Sequence, residues 1–168
     1  MSTPTITVVY GDIVDQDVDA IVTAANTPLR GGGGVDAAVH AAAGPELLKA
    51  CRPLAPCPAG HAVITPGFNL KHARWVIHAV GPIYTGPADA ASLAAAYTQS
   101  LARADEVGAR SIAFPSISTG VYGYPAEDAA RISVQALRTA STIVEEIRLV
   151  AFGHHIERLW RTQLALPA

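Results

Sequence analysis

Two glycine-containing segments of the chain have the composition of loops that bind an anion through main-chain N–H groups. The first, Gly31 to Gly34, stands directly before an alanine-rich segment that favours a helix, and the second runs from Ser118 to Gly123. N–H groups at the start of a helix point outward, the helix dipole favours negative charge there, and glycine lets a phosphate approach the backbone closely. Together the two loops could hold a diphosphate from two sides.

Neither loop matches an established nucleotide-binding motif. No lysine follows the glycines as in GxxxxGK[ST], and the segment GGGGVDA does not satisfy GxGxxG. Spacing alone therefore leaves open the alternative that the glycines only form a flexible turn. The formal net charge of −2 at pH 7 provides no basic surface for sequence-independent binding of nucleic acid. A bound anion must then be held mainly by groups other than Lys and Arg.

Two polar side chains close to the first loop could take part in binding or catalysis. Asp36 falls in the first turn of the predicted helix, where the dipole favours its ionised form, and such a carboxylate can orient or deprotonate a water. Asn26 precedes the loop and can both donate and accept hydrogen bonds. Each has a structural alternative, because Asp is common at helix starts and Asn26 could cap the turn after its strand.

The chain has no pattern that indicates a metal site or a cofactor. The acidic run DIVDQDVD, residues 12 to 19, begins like a calcium loop, but Ala20 stands where the glycine belongs and no Glu closes the loop. Cys51 and Cys57 form neither a disulfide framework nor a CxxC pair, and they are interpreted as ordinary thiols. The sequence therefore predicts no metal ligands and no cofactor.

The histidines close to these segments favour structural interpretations. His40 lies four residues after Asp36 on the same helix face and is expected to be packed and hydrogen-bonded, with a proton relay as the second possibility. His154 and His155 have no partners at a metal-binding spacing. They are expected on the surface at the start of the last helix.

Alternating strand and helix patterns predict how these loops are positioned. Strands are predicted over residues 5–10, 20–25, 61–67, 74–81, 111–116 and 147–153, and helices over 35–43, 45–50, 88–107, from Pro125 towards Thr142, and over 155–166. This alternation predicts an α/β fold, namely a three-layer α/β/α sandwich with a central mixed, mostly parallel β-sheet. Ligands of such sheets bind at the carboxyl ends of strands, here in the loops 26–36 and 116–124.

Length and composition predict one folded domain over residues 1–168. Half of the residues are hydrophobic and 15% are charged, which argues against a disordered chain. The N-terminal segment MSTPTITVVYGD has no basic stretch followed by an apolar run, and no run of about 18 apolar residues occurs. A cytoplasmic protein without a membrane partner is expected.

The chain resembles the macrodomain family, specifically its MacroD-type branch of ADP-ribose-binding hydrolases, in three segments that occur in the family's order. These are GDIVDQDVDAIVTAANTPLRGGGGVDAAVHAAAGPELL, VIHAVGP and IAFPSISTGVYGYP. The likeness extends from residue 6 to about residue 152. It implies a macrodomain-like fold with an ADP-ribose cleft across the end of the mixed sheet.

The resemblance implies an adenine site after the first and last strands. Asp12 would accept a hydrogen bond from the adenine amino group, a charge-assisted contact, and the Ile13 N–H would touch the base. Phe152 falls where the family often places an aromatic ring against adenine, but an aromatic residue in a strand could equally be core. Gly153 departs from the family, which often has an acidic residue there.

The rest of the ligand is implied to follow the two glycine loops. The diphosphate would lie between Gly32–Val35 and Ser118–Val121, and the distal ribose near Asn26, Gly33, Asp36 and Tyr122. The ligand-binding residues so implied are Asp12, Ile13, Asn26, Gly32, Gly33, Gly34, Val35, Ser118, Thr119, Gly120, Val121, Tyr122 and Phe152.

The resemblance implies hydrolysis of an ester at the distal ribose, with no metal or cofactor. The substrates would be proteins ADP-ribosylated on acidic side chains and O-acetyl-ADP-ribose. Asp36, Asn26 and Tyr122 are the implied catalytic residues: Asp36 activates a water, and Tyr122 closes over the ribose and helps to position that water, unless it is a buried structural tyrosine. Thr23 departs from the branch, which usually has a second asparagine there. Strand alternation predicts that Thr23 lies off the face that carries Asn26, with little loss of binding.

Two other functions compete with hydrolysis. The chain could be a reader that binds ADP-ribosylated targets without turning them over, although the presence of both Asn26 and Asp36 favours an enzyme. RNA binding occurs in the family, but the low Lys and Arg content of this chain argues against a nucleic-acid partner.

Overall fold

The computed structural model describes residues 3–168, in which strands alternate with helices as the sequence predicts. The strands are Thr5–Tyr10 (β1), Ala20–Ala24 (β2), Ala62–Pro66 (β3), Trp75–Ala79 (β4), Ser111–Phe114 (β5) and Glu146–Ala151 (β6). The helices are Gly34–Ala43 (α1), Pro45–Cys51 (α2), Ala90–Glu106 (α3), Ala126–Thr139 (α4) and His154–Ala165 (α5). Every predicted strand and helix is present, with ends that differ by a few residues.

Over residues 3–168 the strands form one six-stranded sheet in the order β1-β6-β5-β2-β4-β3. Neighbouring strands are parallel except for β3 and β4, which are antiparallel at one edge. β3 and β4 follow each other without an intervening helix, and a short connection can join only antiparallel neighbours. The predicted mixed, mostly parallel sheet is confirmed.

Helices cover both faces of the sheet and make the core from two sides. Leu93 of α3, Leu137 of α4 and Trp160 of α5 are fully buried against one face, whereas Val39 of α1 and Leu47 of α2 are fully buried against the other. Burying a side chain of this size stabilises the fold by about 1.5–3 kcal/mol. The predicted three-layer α/β/α sandwich is confirmed.

The strand order brings the two glycine loops together. β2 and β5 are parallel neighbours, with Ile21 opposite Ala113, so the loops that follow them leave the carboxyl end of the sheet side by side. β1 and β6 are also parallel neighbours, with Tyr10 opposite Ala151, and they end at the same end of the sheet. A ligand held at the carboxyl end of the sheet can therefore extend from the ends of β1 and β6 to the end of β2.

The acidic run 12–19 serves the fold at both of its ends. Asp12 caps a short 3-10 helix, Ile13–Asp15, by accepting the Val14 N–H at 3.1 Å. Asp19 Oδ2 accepts the Arg110 N–H at 2.7 Å and joins the start of β2 to β5. Among residues 3–168 no three His, Cys, Asp or Glu side chains are grouped so that they could hold a metal ion.

The helices show no membrane-spanning character. None of those within residues 3–168 combines the length and the apolar composition that a bilayer crossing requires.

Candidate functional site

A cleft of about 390 Å³ opens between the start of α1 and the loop that follows β5. It contains most of the residues that the sequence predicts to bind ligand, and further residues from the ends of β2 and β4. Its lining is Ala24, Ala25, Asn26, Gly32, Gly33, Gly34, Val35, Asp36, Gly81, Ser116, Ile117, Ser118, Gly120, Val121 and Tyr122.

The side chain of Asn26 holds the glycine loop in shape. Its Nδ2 donates to the carbonyl of Gly31 and its Oδ1 accepts the N–H of Arg30, both at 3.0 Å. The turn-capping alternative for Asn26 is therefore observed. Asn26 also lines the cleft, so the fixed side chain is presented to a ligand in one orientation.

The start of α1 is open to the cleft. Gly33 caps the helix in an extended conformation, with φ −93° and ψ −177°, and it has no side chain that could accept a hydrogen bond from the first turn. The first N–H groups of a helix lack partners within the helix itself. They are therefore available to an anion at this end of the cleft, where the dipole favours it.

The loop after β5 is held by hydrogen bonds within the protein. Ser118 has φ +69°, its Oγ donates to the Pro82 carbonyl at 2.8 Å, and its carbonyl accepts the Tyr124 N–H at 2.9 Å. Thr119 Oγ1 donates to Ser116 Oγ at 2.8 Å and is not part of the cleft lining. Both hydroxyls are thus used as donors within the protein, which leaves the main-chain N–H groups of this loop for a ligand.

Gly81 explains why this loop can close against β4. A Cβ atom on Gly81 would collide with the side chains of Ile117 and Ser118, so only glycine permits the approach. Gly81 lines the cleft, and sequence reasoning missed it because it is an isolated glycine outside both glycine loops.

Asp36 lies at the inner end of the cleft and is only 2% exposed. Its Oδ1 accepts a hydrogen bond from Thr23 Oγ1 at 2.8 Å and lies 3.6 Å from His40 Nε2. A Cβ built on Gly32 would lie 3.6 Å from Asp36 Oδ2 and 3.7 Å from Asn26 Nδ2. The carboxylate therefore directs Oδ1 into the protein and Oδ2 towards the glycine loop and Asn26.

Burial raises the pKa of Asp36 above its usual value, because desolvation disfavours the ionised form. The Thr23 hydrogen bond, the charge of His40 and the main chain of Gly32 act in the opposite direction but do not offset the burial. The sequence predicted that the helix dipole favours the ionised form here, and burial acts in the opposite direction. A carboxyl group with a raised pKa is a stronger base when it is ionised.

Thr23 belongs to the site, which sequence reasoning did not expect. Alternation along β2 places Thr23 on the opposite face from Val22, and that face carries α1 and therefore Asp36. This contact with Asp36 was not expected, whereas the small loss of binding at Thr23 stays a prediction. Alternation identifies a face, and it does not identify the helix that packs on it.

A layer of neutral polar side chains lies behind Thr23 and Asp36. His78, opposite Thr23 in β4, is 3.0 Å from Thr65 Oγ1, and burial followed by the charge of His40 lowers the pKa of His78 to about 3. Cys51 Sγ is 3.7 Å from the His78 ring nitrogens, and burial followed by the charge of Asp36 raises the pKa of Cys51 to about 11. His78 and Cys51 are therefore uncharged at neutral pH, as the interpretation of Cys51 as an ordinary thiol requires.

The two histidine interpretations have different outcomes. His40 is packed, with 17% of its side chain exposed, but its 3.6 Å approach to Asp36 is longer than a hydrogen bond. His154 and His155 are exposed at the start of α5, as predicted, and the His154 ring stacks on Tyr10 with the centroids 4.1 Å apart.

The residues predicted to contact adenine lie outside the lining of the cleft. Asp12 and Phe152 follow the neighbouring strands β1 and β6, and Ile13 is buried in the core beneath α1 and α2. Phe152 is 79% exposed, which excludes the core alternative for it. Its ring is accessible to a ligand that extends from the cleft towards the carboxyl end of β6.

Tyr122 lines the cleft and is half-buried, so it is not a fully buried structural tyrosine. Its carbonyl accepts the Tyr84 N–H at 2.8 Å, which ties its backbone to the segment after β4. The neighbouring Val121 is fully exposed at the tip of the loop. No Lys or Arg of residues 3–168 lines the cleft, so its hydrogen-bond donors are main-chain N–H groups, the Asn26 amide and hydroxyl groups.

The family model described as Macro domain matches residues 22–133 of this chain. A macro domain-containing protein of Streptomyces griseus is 51% identical over 161 residues, which cover 90% of each chain. No activity is part of that protein's name.

Two solved macrodomains resemble this structure closely. The Oceanobacillus iheyensis macrodomain with ADP has a TM-score of 0.88 and 41% identity, over 96% of this chain and 90% of the other. The Trypanosoma brucei macrodomain in complex with ADP-ribose also has a TM-score of 0.88, with 36% identity over 95% of this chain and 69% of the other.

Proposed function

The chain belongs to the macro domain family, and on that premise we propose that it binds ADP-ribose and hydrolyses ester bonds at the distal ribose of that ligand. The observation that carries the proposal is the cleft between the start of α1 and the loop after β5, whose lining in residues 3–168 contains one carboxylate, the buried Asp36. Solved relatives hold ADP or ADP-ribose.

Each part of ADP-ribose has a matching group of residues in the cleft or at the neighbouring carboxyl ends of β1 and β6. Its diphosphate would accept hydrogen bonds from the N–H groups at the start of α1 and from those of the loop after β5. Its distal ribose would meet Asn26 and Tyr122 at the inner end, and its adenine would extend towards Asp12 and Phe152. The exposed Phe152 ring supports a stacking role there.

The proposed reaction uses Asp36 as a general base. Asp36 Oδ2 takes a proton from a water, and the water oxygen forms a bond to the carbonyl carbon of the ester. The bond between that carbon and the ribose oxygen breaks, and the proton held by Asp36 passes to the ribose oxygen. One water is consumed. The products are ADP-ribose and a free carboxylic acid, which is acetic acid from O-acetyl-ADP-ribose or an Asp or Glu side chain from a modified protein.

Product release from two substrates tests this proposal. Purified protein is incubated with O-acetyl-ADP-ribose and with a protein ADP-ribosylated on Asp or Glu, and free ADP-ribose is measured by chromatography against an enzyme-free control. We expect release from both. Binding of ADP-ribose in calorimetry without release from either substrate would make the chain a reader, and absence of binding would remove both functions.

We further predict that Thr23→Val lowers hydrolysis about tenfold at neutral pH and moves the acid limb of the pH–rate profile to higher pH. The Thr23 hydroxyl donates to the ionised Asp36, and a hydrogen bond to a charged group contributes about 1.5–3 kcal/mol. Without this donor the pKa of Asp36 rises further. A base must be deprotonated, so the rate is then lost at a higher pH as the solution is acidified.

Thr23→Ser is the matched control because it retains the hydroxyl. We expect its pH–rate profile to return close to that of the natural protein, and ADP-ribose affinity to change little in either variant. An unshifted acid limb in Thr23→Val would show that Thr23 does not act through Asp36.

A further inference from the structure

A second concave surface adjoins the cleft on the far side of the Asn26–Arg30 turn. It has a volume of about 690 Å³, and we name it the arginine groove because Arg30 and Arg52 line it together with apolar residues such as Leu48 and Pro56. Asn26 faces the cleft and Arg30 faces the groove, so a single turn separates the two.

The groove lies beyond β2 from the adenine end of the cleft, in the direction of β4. The Cys57 N–H donates to the Thr27 carbonyl at 2.9 Å, and Cys57 packs with Val80, the residue after β4. The groove therefore lies on the β4 side of β2, whereas the adenine residues lie on the β1 side. In the proposed binding mode the distal ribose is the part of the ligand closest to β2, so a group attached to that ribose leaves the cleft towards the groove.

The wall between cleft and groove is preformed. Leu29 is 2% exposed and anchors the turn with φ +54°, a conformation that non-glycine residues rarely adopt. The Asn26 side chain fixes the Arg30 N–H, and the Thr27 carbonyl is fixed by Cys57. A preformed surface loses little conformational entropy when it binds a partner.

The groove is positively charged in a chain of net charge −2. Arg30 and Arg52 are both exposed, and no carboxylate lines the groove. Within the described range neither guanidinium makes an ion pair or a side-chain hydrogen bond, in contrast to Arg110 and Arg148, which pair with Glu145 and Glu146. A planar guanidinium suits a carboxylate, to which it can donate two parallel hydrogen bonds.

We propose that the arginine groove binds the acidic polypeptide around an ADP-ribosylated Asp or Glu, whose flanking carboxylates pair with Arg30 and Arg52. This inference rests on the proposed function, because it requires the distal ribose to lie at the Asn26 end of the cleft. It assigns the target protein, and not only the nucleotide, to a defined surface of this chain.

Binding comparisons test the groove without turnover. In an Asp36→Ala background, calorimetry compares free ADP-ribose with two ADP-ribosylated peptides, one with Asp and Glu flanks and one with Asn and Gln flanks. We expect a preference of about three- to tenfold for the acidic peptide at low salt, the size that two exposed ion pairs can supply. Arg30→Gln combined with Arg52→Gln should abolish this preference and keep ADP-ribose affinity within about twofold.

Arg131→Gln combined with Arg158→Gln is the matched control, since it removes the same charge from α4 and α5 on the other face of the sheet. This control should retain the preference for the acidic peptide. With Asp36 intact, the groove variant should raise KM for the acidic peptide and leave kcat and O-acetyl-ADP-ribose hydrolysis unchanged.

Three results would overturn the inference. These are equal affinity for the two peptides, an equal loss for free ADP-ribose in the groove variant, and an arginine-dependent preference for an ADP-ribosylated nucleic acid over the acidic peptide. Failure of the proposed hydrolysis has a different result, namely that the ester stays intact after incubation with the natural protein. In that case the binding comparison still tests whether the groove binds the acidic peptide.

Discussion

Asp36→Ala should lower ester hydrolysis by at least about 100-fold, whereas the affinity for ADP-ribose should change by less than about threefold. The carboxylate is the proposed base, and positioned general bases contribute about 10²–10⁴-fold to a rate. The main-chain groups that hold the diphosphate are not altered by this substitution. Initial rates with O-acetyl-ADP-ribose and calorimetry with ADP-ribose measure the two effects. Full activity of Asp36→Ala would exclude the mechanism.

Two further variants separate catalysis from folding. Asp36→Asn keeps the shape of the side chain and an oxygen that can accept from Thr23, so a loss of activity in it reflects the missing base. Asp17→Ala removes an exposed carboxylate from the turn before β2 and should leave the rate unchanged.

The raised pKa of Asp36 predicts the direction of the stability change. An acid whose pKa is higher in the folded than in the unfolded state destabilises the fold once the pH is high enough to ionise it, because the buried charge lacks its full hydration. Asp36→Asn should therefore melt at the same or a higher temperature than the natural protein at pH 7. The difference should disappear at pH values below the usual pKa of Asp, where both side chains are neutral. A site that gives up stability for chemistry has this signature.

The sequence predicted the fold because the alternation of strands and helices follows from local patterns, whereas the resemblance to the macrodomain family favoured site roles for Asn26 and Asp36 over their structural alternatives. Alternation of strand and helix patterns gives the layers, and Gly33 before an alanine-rich helix gives an open helix start. Asp36 follows within the first turn of that helix and therefore lies at the end of the cleft. Asn26 precedes the loop, and its turn-capping bonds fix it beside the same glycines.

The missed features depend on contacts between distant segments. Thr23 contacts Asp36 only because α1 packs on its face of β2, and Gly81 matters only because the loop after β5 folds back over it. Ser118 adopts a positive φ for which no local residue pattern gives a signal. The exposure of Phe152 was likewise undecided, because an aromatic residue at the end of a strand fits a core and a ligand wall equally well.

Gly33→Glu should weaken ADP-ribose binding by at least about 100-fold, which is about 2.7 kcal/mol, and abolish hydrolysis at ordinary substrate concentrations. A Cβ on Gly33 would have no atom within 4 Å, and the backbone there is extended, so the fold accepts a longer side chain. The glutamate carboxylate would occupy the helix start that the diphosphate needs and would repel the phosphates. Calorimetry and a thermal melt measure the loss of binding and the expected retention of stability.

Gly33→Gln and Gly33→Ala separate the charge of the new side chain from its bulk. Gln has nearly the same shape as Glu without the charge, so it should weaken binding less than Glu, with the gap narrowing as salt screens the repulsion. Ala adds only a Cβ and no charge, so it should weaken ADP-ribose binding less than Gln does. If Gly33→Glu retained ADP-ribose affinity while folded, the diphosphate could not lie against the start of α1, and the position proposed for the distal ribose next to Asp36 would lose its support.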